Sequence, residues 1–135
     1  MNPSGYVLDT SALLTLIEDE VGAERVSQVL DNEQVWLPWL VLLEAYYITL
    51  QEQSRIEAET RYALMKQLPA TILWNVDEPT LLTAGRLKAN HRLSLADAII
   101  AAFAIRFEAS LVHKDPEFQV LAGELVLENL PFKAT

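Results

Sequence analysis

Short runs that are apolar throughout alternate along the chain with longer stretches in which apolar residues recur every three or four positions. The runs Tyr6-Val7-Leu8, Val35-Trp36-Leu37, Thr71 to Val76, Ser110 to His113 and Leu125-Val126-Leu127 predict strands. The stretches between them predict helices over Ser11 to Ile17, Ala23 to Leu30, Pro38 to Gln53, Ser54 to Leu68, Pro79 to His91 and Ser94 to Phe107. Pro38 suits the first helical position, where its missing N–H costs nothing. Strands without polar alternation, separated by helices, belong to a mainly parallel sheet of about five strands covered on both faces, an α/β/α sandwich. Ligands of such open sheets lie beyond the carboxyl ends of the strands. The residues that directly follow each strand therefore carry the chemical question.

At 135 residues the chain makes one domain, taken as 1–135, since halves would be near the lower limit for independent folding. Its 51% apolar content excludes a disordered tail. The absence of cysteine excludes disulfides, thiolate metal sites and cysteine nucleophiles. Ten basic against 19 acidic residues give a net charge of −9, the wrong sign for an indiscriminate binder of nucleic-acid backbone. A polyanion is accepted only if a metal cation or a basic partner first masks the carboxylates. The run Met1-Asn2-Pro3-Ser4-Gly5 has no basic residue and does not resemble a leader. The most apolar region, Val35 to Leu50, is broken by Pro38 and Glu44 and is too short to span a bilayer. A cytoplasmic protein without membrane attachment is expected.

Four acids stand in telling places. Asp9 follows the first strand, in Asp9-Thr10-Ser11, where a turn residue with Ser11 capping the next helix is the plain alternative. Glu44 has Leu40, Val41, Tyr47 and Ile48 as its helical neighbours, so it lies on a face that should be packed. An ionised carboxylate there costs several kcal/mol unless a cation or hydrogen-bond donors meet it. Asp97, three residues after Ser94, fits a capping box, and Asp115 before Pro116 fits a helix start. In a domain of about 14 Å radius of gyration the four can converge at one sheet edge. Converging carboxylates take up protons or a divalent cation, and hard oxygen ligands favour Mg²⁺, with Mn²⁺ as substitute, over zinc.

These residues carry a resemblance. Asp9-Thr10-Ser11-Ala12-Leu13-Leu14 after a short strand, Glu44 in the helix after the second, Leu93 to Ala102 around Asp97, and Leu111 to Phe118 around Asp115 resemble, in order and spacing, the four motifs of PIN-domain proteins. The single-domain size resembles the VapC toxins. The resemblance implies a Mg²⁺-dependent endoribonuclease that leaves 5′-phosphate and 3′-hydroxyl ends, is paired with a small antitoxin, and is often a homodimer. It implies that Asp9, Glu44 and Asp97 hold the metal and that Asp115 is the fourth catalytic acid. Thr10 or Ser11 would meet the RNA phosphate or the attacking water. Two positions depart from the family: His113 where Thr or Ser is usual, and Glu117 where a second Asp is common.

Basic residues are few. Arg86, Lys88, His91 and Arg92 cluster at one helix end, which either complements the helix dipole or gives RNA backbone contacts through Arg86 and Arg92. Trp36, Trp39, Tyr46 and Tyr47 favour core or dimer packing over base stacking. The stripe Ile56, Tyr62, Leu64, Met65 and Leu68 suggests a helical clamp for the antitoxin. The alternatives are a catalytically silent PIN-fold module that binds RNA or a protein, and a phosphatase of the haloacid-dehalogenase type. The latter needs a second acid where Ser11 stands.

Overall fold

The computed structural model describes residues 4–131; Met1 to Pro3, part of the run read above as lacking leader character, and residues 132–135 lie outside the described residues. Strands β1 (Tyr6–Leu8), β2 (Val35–Pro38), β3 (Thr71–Leu73), β4 (Ser110–His113) and β5 (Leu127–Asn129) form one sheet in the order β3-β2-β1-β4-β5. Every pairing is parallel. The helices α1 (Thr10–Ile17), α2 (Ala23–Asn32), α3 (Trp39–Glu52), α4 (Arg55–Met65), α5 (Glu78–Asn90) and α6 (Leu95–Arg106) flank it. A short 3₁₀ helix over Pro116–Leu121 links β4 to β5. The expected α/β/α architecture with its parallel sheet is the observed one.

The core is what wholly apolar strands require. Val7, Leu8, Leu37, Leu111 and Val112 are sealed between helices, and the alanine-rich face of α6 (Ala98, Ala101, Ala102) is buried in the same core. The strand order has one consequence for the site. The chain runs from β1 outward through β2 and β3, then returns to the other side of β1 with β4. A crevice at such a reversal is where open parallel sheets bind ligands. Leu8 faces Val112 in register, and the Asp9 amide donates to the Val112 carbonyl at 3.1 Å, so Asp9 and the end of β4 open on this crevice together.

Some boundaries depart from expectation. Pro38 ends β2, opposite Leu73, and α3 starts one residue later; its fixed φ of −62° serves an extended residue as well as a helical one. β3 stops at Leu73 because it is an edge strand, and Asp77 then caps α5 through the Thr80 amide at 2.9 Å. β5 lies two residues later than the apolar triplet suggests. The Leu125 amide still closes the preceding turn onto Leu121, and pairing starts at Leu127 opposite Leu111. α1 is capped by Asp9 rather than Ser11.

Gly5 enters β1 at φ +94°, and a Cβ there would lie 2.7 Å from Trp36 Cζ3 and 2.9 Å from the Gln34 carbonyl oxygen. Gly5→Ala is therefore expected to lower the unfolding free energy by about 2 kcal/mol, read as a shift of the urea midpoint at unchanged slope.

Candidate active site

Asp9 is the deepest of the acids, with 2% of its surface exposed. Its carboxylate caps α1, accepting from the Ala12 amide at 2.7 Å, and both of its oxygens lie 2.8 Å from the Ser11 hydroxyl. The Ser11 oxygen in turn accepts the Lys114 amide at 2.8 Å, so one hydroxyl ties the turn after β1 to the turn after β4. Burial pushes the Asp9 carboxyl up to about 7 against the pull of these donors, with Asp97 and Asp115 adding to the rise.

Glu44 reaches the same place from α3. The Thr10 hydroxyl donates to its Oε1 at 2.5 Å, and the residue is half-buried as its apolar neighbours demand. Asp97 sits in the first turn of α6, where the Ser94 hydroxyl accepts its amide at 3.1 Å. Its carboxyl is pushed up to about 6, by burial first and then by Asp115, Glu44 and Glu117. Asp115 caps the 3₁₀ helix by accepting the Glu117 amide at 3.0 Å, with Pro116 at its start.

Asp97, Asp115 and Glu117 each offer a carboxylate oxygen, and these three oxygens lie within 4.8 Å of one another. That spacing approaches the span of an octahedral shell of hard oxygens, about 4 Å across for Mg²⁺. The chemistry of the donor set fits such an ion: the cluster is all carboxylate and the chain has no cysteine. The tight triad is not the trio implied by resemblance. Asp97 is common to both, but Asp9 is engaged by Ala12 and Ser11 and Glu44 by Thr10, while Glu117 comes forward. In sequence Glu117 is marked only by the resemblance, as the position where a second Asp is common; nothing local distinguishes it from an ordinary acid in a first helical turn.

His113 is buried beneath this cluster. Its Nδ1 accepts the Asp115 amide at 3.2 Å, and its ring lies 5.1 Å from that of Phe118. Burial holds its pKa below the usual histidine value, so it is neutral at pH 7 and supports the backbone that carries Asp115. Of the two arginines read as RNA contacts, Arg86 is turned to Glu124, 2.6 Å away, and Arg92 is exposed.

A model of the PIN domain matches residues 6–124. The chain belongs to the PIN domain family. No curated protein matches it in sequence. Among solved structures, this PIN domain resembles VapBC2 of Rickettsia felis bound to a DNA fragment from its promoter, at TM-score 0.76 and 18% identity over 93% of this chain and 98% of that one. It also resembles VapBC-1 of nontypeable Haemophilus influenzae, at TM-score 0.71 and 23% identity over 92% and 96%. A third is VapC20 of Mycobacterium tuberculosis, described as a sarcin-ricin loop cleaving toxin, at 0.69 and 15% over 90% and 97%. Identities this low establish a shared fold.

Proposed function

We propose that this PIN domain is a Mg²⁺-dependent endoribonuclease and the toxin of a toxin–antitoxin pair. The observation that carries the reading is the convergence of Asp9, Glu44, Asp97, Asp115 and Glu117, brought from the ends of β1 and β4 and from two helices. A purely structural role does not account for so many like charges in a half-buried crevice, because each raises the cost of ionising the next. The RNA-cleaving toxin of M. tuberculosis and the toxin–antitoxin complexes of similar fold support the same assignment.

Asp97, Asp115 and Glu117, with Asp9 and Glu44 beside them, would hold a divalent cation, which would supply Lewis acidity toward a phosphate and lower the pKa of a bound water. Around it the chain's own groups are preset. Ser11 fixes the orientation of Asp9, Thr10 fixes that of Glu44, and His113 holds the Asp115 amide. Arg92, exposed just ahead of α6, is the cation we assign to a phosphate-backbone contact.

Trp39, Leu42, Leu43, Tyr46, Tyr62 and Trp74 line an apolar groove of about 580 Å³ between α3 and α4, with Glu59 at its edge. Tyr46 meets Tyr62 edge-on at 5.8 Å, while Ile56 and Leu64 of the α4 stripe face outward. This groove suits an antitoxin segment that brings apolar side chains and a basic residue. The exposed Leu81 and Leu82 of α5 are apolar area for a homodimer. No helix among the described residues is long and apolar enough to cross a membrane.

The test is incubation of partner-free protein with total tRNA and ribosomal RNA in Mg²⁺ or Mn²⁺, with the ends of the products mapped. Cleavage that EDTA stops and that leaves 5′-phosphate and 3′-hydroxyl ends is expected. A 2′,3′-cyclic phosphate would exclude attack by water, and intact RNA beside normal metal binding would favour the silent PIN module.

A further inference from the structure

The acid triad has a mechanical problem when no cation is bound. Asp115 and Glu117 ride on the turn that begins at the end of β4, Asp97 rides on α6, and their charges push these two segments apart. Phe118 and Leu121 root the turn in the core from below. A second hold comes from its far end. Glu124, whose amide closes onto the Leu121 carbonyl at 2.8 Å, places one carboxylate oxygen 2.6 Å from Arg86 Nη1 and the other 2.6 Å from His91 Nε2.

Both partners belong to the end of α5: Arg86 lies in its last turns and His91 is its C-cap. Three residues after His91 comes Ser94, the cap of α6, and three after that comes Asp97. Glu124 thus joins the segment that carries Asp115 and Glu117 to the segment that delivers Asp97. Arg86 draws the Glu124 carboxyl below the usual carboxylate range, with His91 adding to it, which marks an attraction acting across the same gap over which the triad repels.

We propose that Arg86, Glu124 and His91 form a clamp of positioning residues that holds the acid-bearing turn against the start of α6 while the site has no cation. The clamp rests on the triad being a metal site only for its effect on metal affinity; its effect on the turn does not need that reading. Arg86 then acts through Glu124, not by touching RNA.

The clamp and simple charge make opposite predictions for Arg86→Met. Removing a cation should tighten divalent-metal binding if only net charge matters. Loss of the clamp instead weakens Mn²⁺ binding by about three- to fivefold, the scale of one well-formed, partly exposed ion pair. Mn²⁺ titration by water proton relaxation reads this, with Arg86→Lys expected to restore most of the affinity. Hydrogen–deuterium exchange on metal-free protein reads the turn directly: amides of residues 117–121 are expected to exchange faster by a similar factor in Arg86→Met and in Glu124→Gln. Unchanged or tighter Mn²⁺ binding in Arg86→Met, or unchanged exchange in both variants, would overturn the clamp. If the wild type itself binds no Mn²⁺, the metal site falls, and the exchange result alone then upholds or overturns the clamp.

Discussion

Asp97→Asn is expected to abolish saturable Mn²⁺ binding and to lower RNA cleavage by about a thousandfold or more, the scale of losing a main stabiliser of transition-state charge. Asp97 is the acid common to the tight triad with Asp115 and Glu117 and to the set that includes Asp9 and Glu44. The substitution keeps the shape of the side chain. It also keeps the cap of α6, because Ser94 receives the Asp97 backbone amide and not its carboxylate. A loss of function therefore cannot be put down to a lost helix start. Circular dichroism should stay close to wild type, and in EDTA above about pH 6 the urea midpoint should rise rather than fall, because asparagine escapes the cost of ionising Asp97. Metal binding at wild-type affinity in Asp97→Asn would remove the acid cluster from the chemistry.

Asp9→Asn should have the larger effect on stability: more stable metal-free protein, inactive as an enzyme. The folded carboxyl is pushed up to about 7 from 3.8. Between those values the folded protein holds a proton that the unfolded chain has released, so stability falls as pH rises through this window and levels off above it. Asp97, pushed up to about 6, acts in the same direction over a narrower range. Asparagine carries no such penalty and caps a helix as well as aspartate does. The gain for Asp9→Asn is of order 4 kcal/mol at pH 8 and close to zero at pH 4, measured by urea unfolding in EDTA. Mn²⁺ at a hundred times its wild-type dissociation constant should return about 2.7 kcal/mol to the wild type and less to the variant, which keeps Asp97, Asp115 and Glu117 but loses the charge beside them. A variant less stable than wild type at pH 8 would show that the Ser11 and Ala12 bonds outweigh burial.

Most of the sheet was legible because its strands are apolar on both faces, and burial on both faces is what a parallel sheet imposes. The acids were legible where local rules and environment disagreed. Glu44 on an apolar helix face has no local explanation, and Asp9 and Asp115 stand where strand ends open. What escaped depended on distance along the chain. The partner of Arg86 lies 38 residues away in a turn whose path only the fold decides. Glu117 joins the triad through the rotation of a 3₁₀ helix, which hydrophobic spacing does not encode. The bounds of β5, though not its existence, escaped for a related reason: apolar density marks an edge strand, but its register follows from the ladder with β4.

The hydroxyls of Thr10 and Ser11 bear on how a complex with RNA must assemble. A hydroxyl has one proton to give. Thr10 gives its proton to Glu44, and Ser11 gives its proton to Asp9. Neither has one left for a phosphate oxygen, so at this turn an incoming RNA meets carboxylates whose nearest donors are already committed. Under the function proposed above, assembly would be ordered, with the cation first and the polyanion second, and the dissociation constant for the cation would set a threshold below which the site turns RNA away.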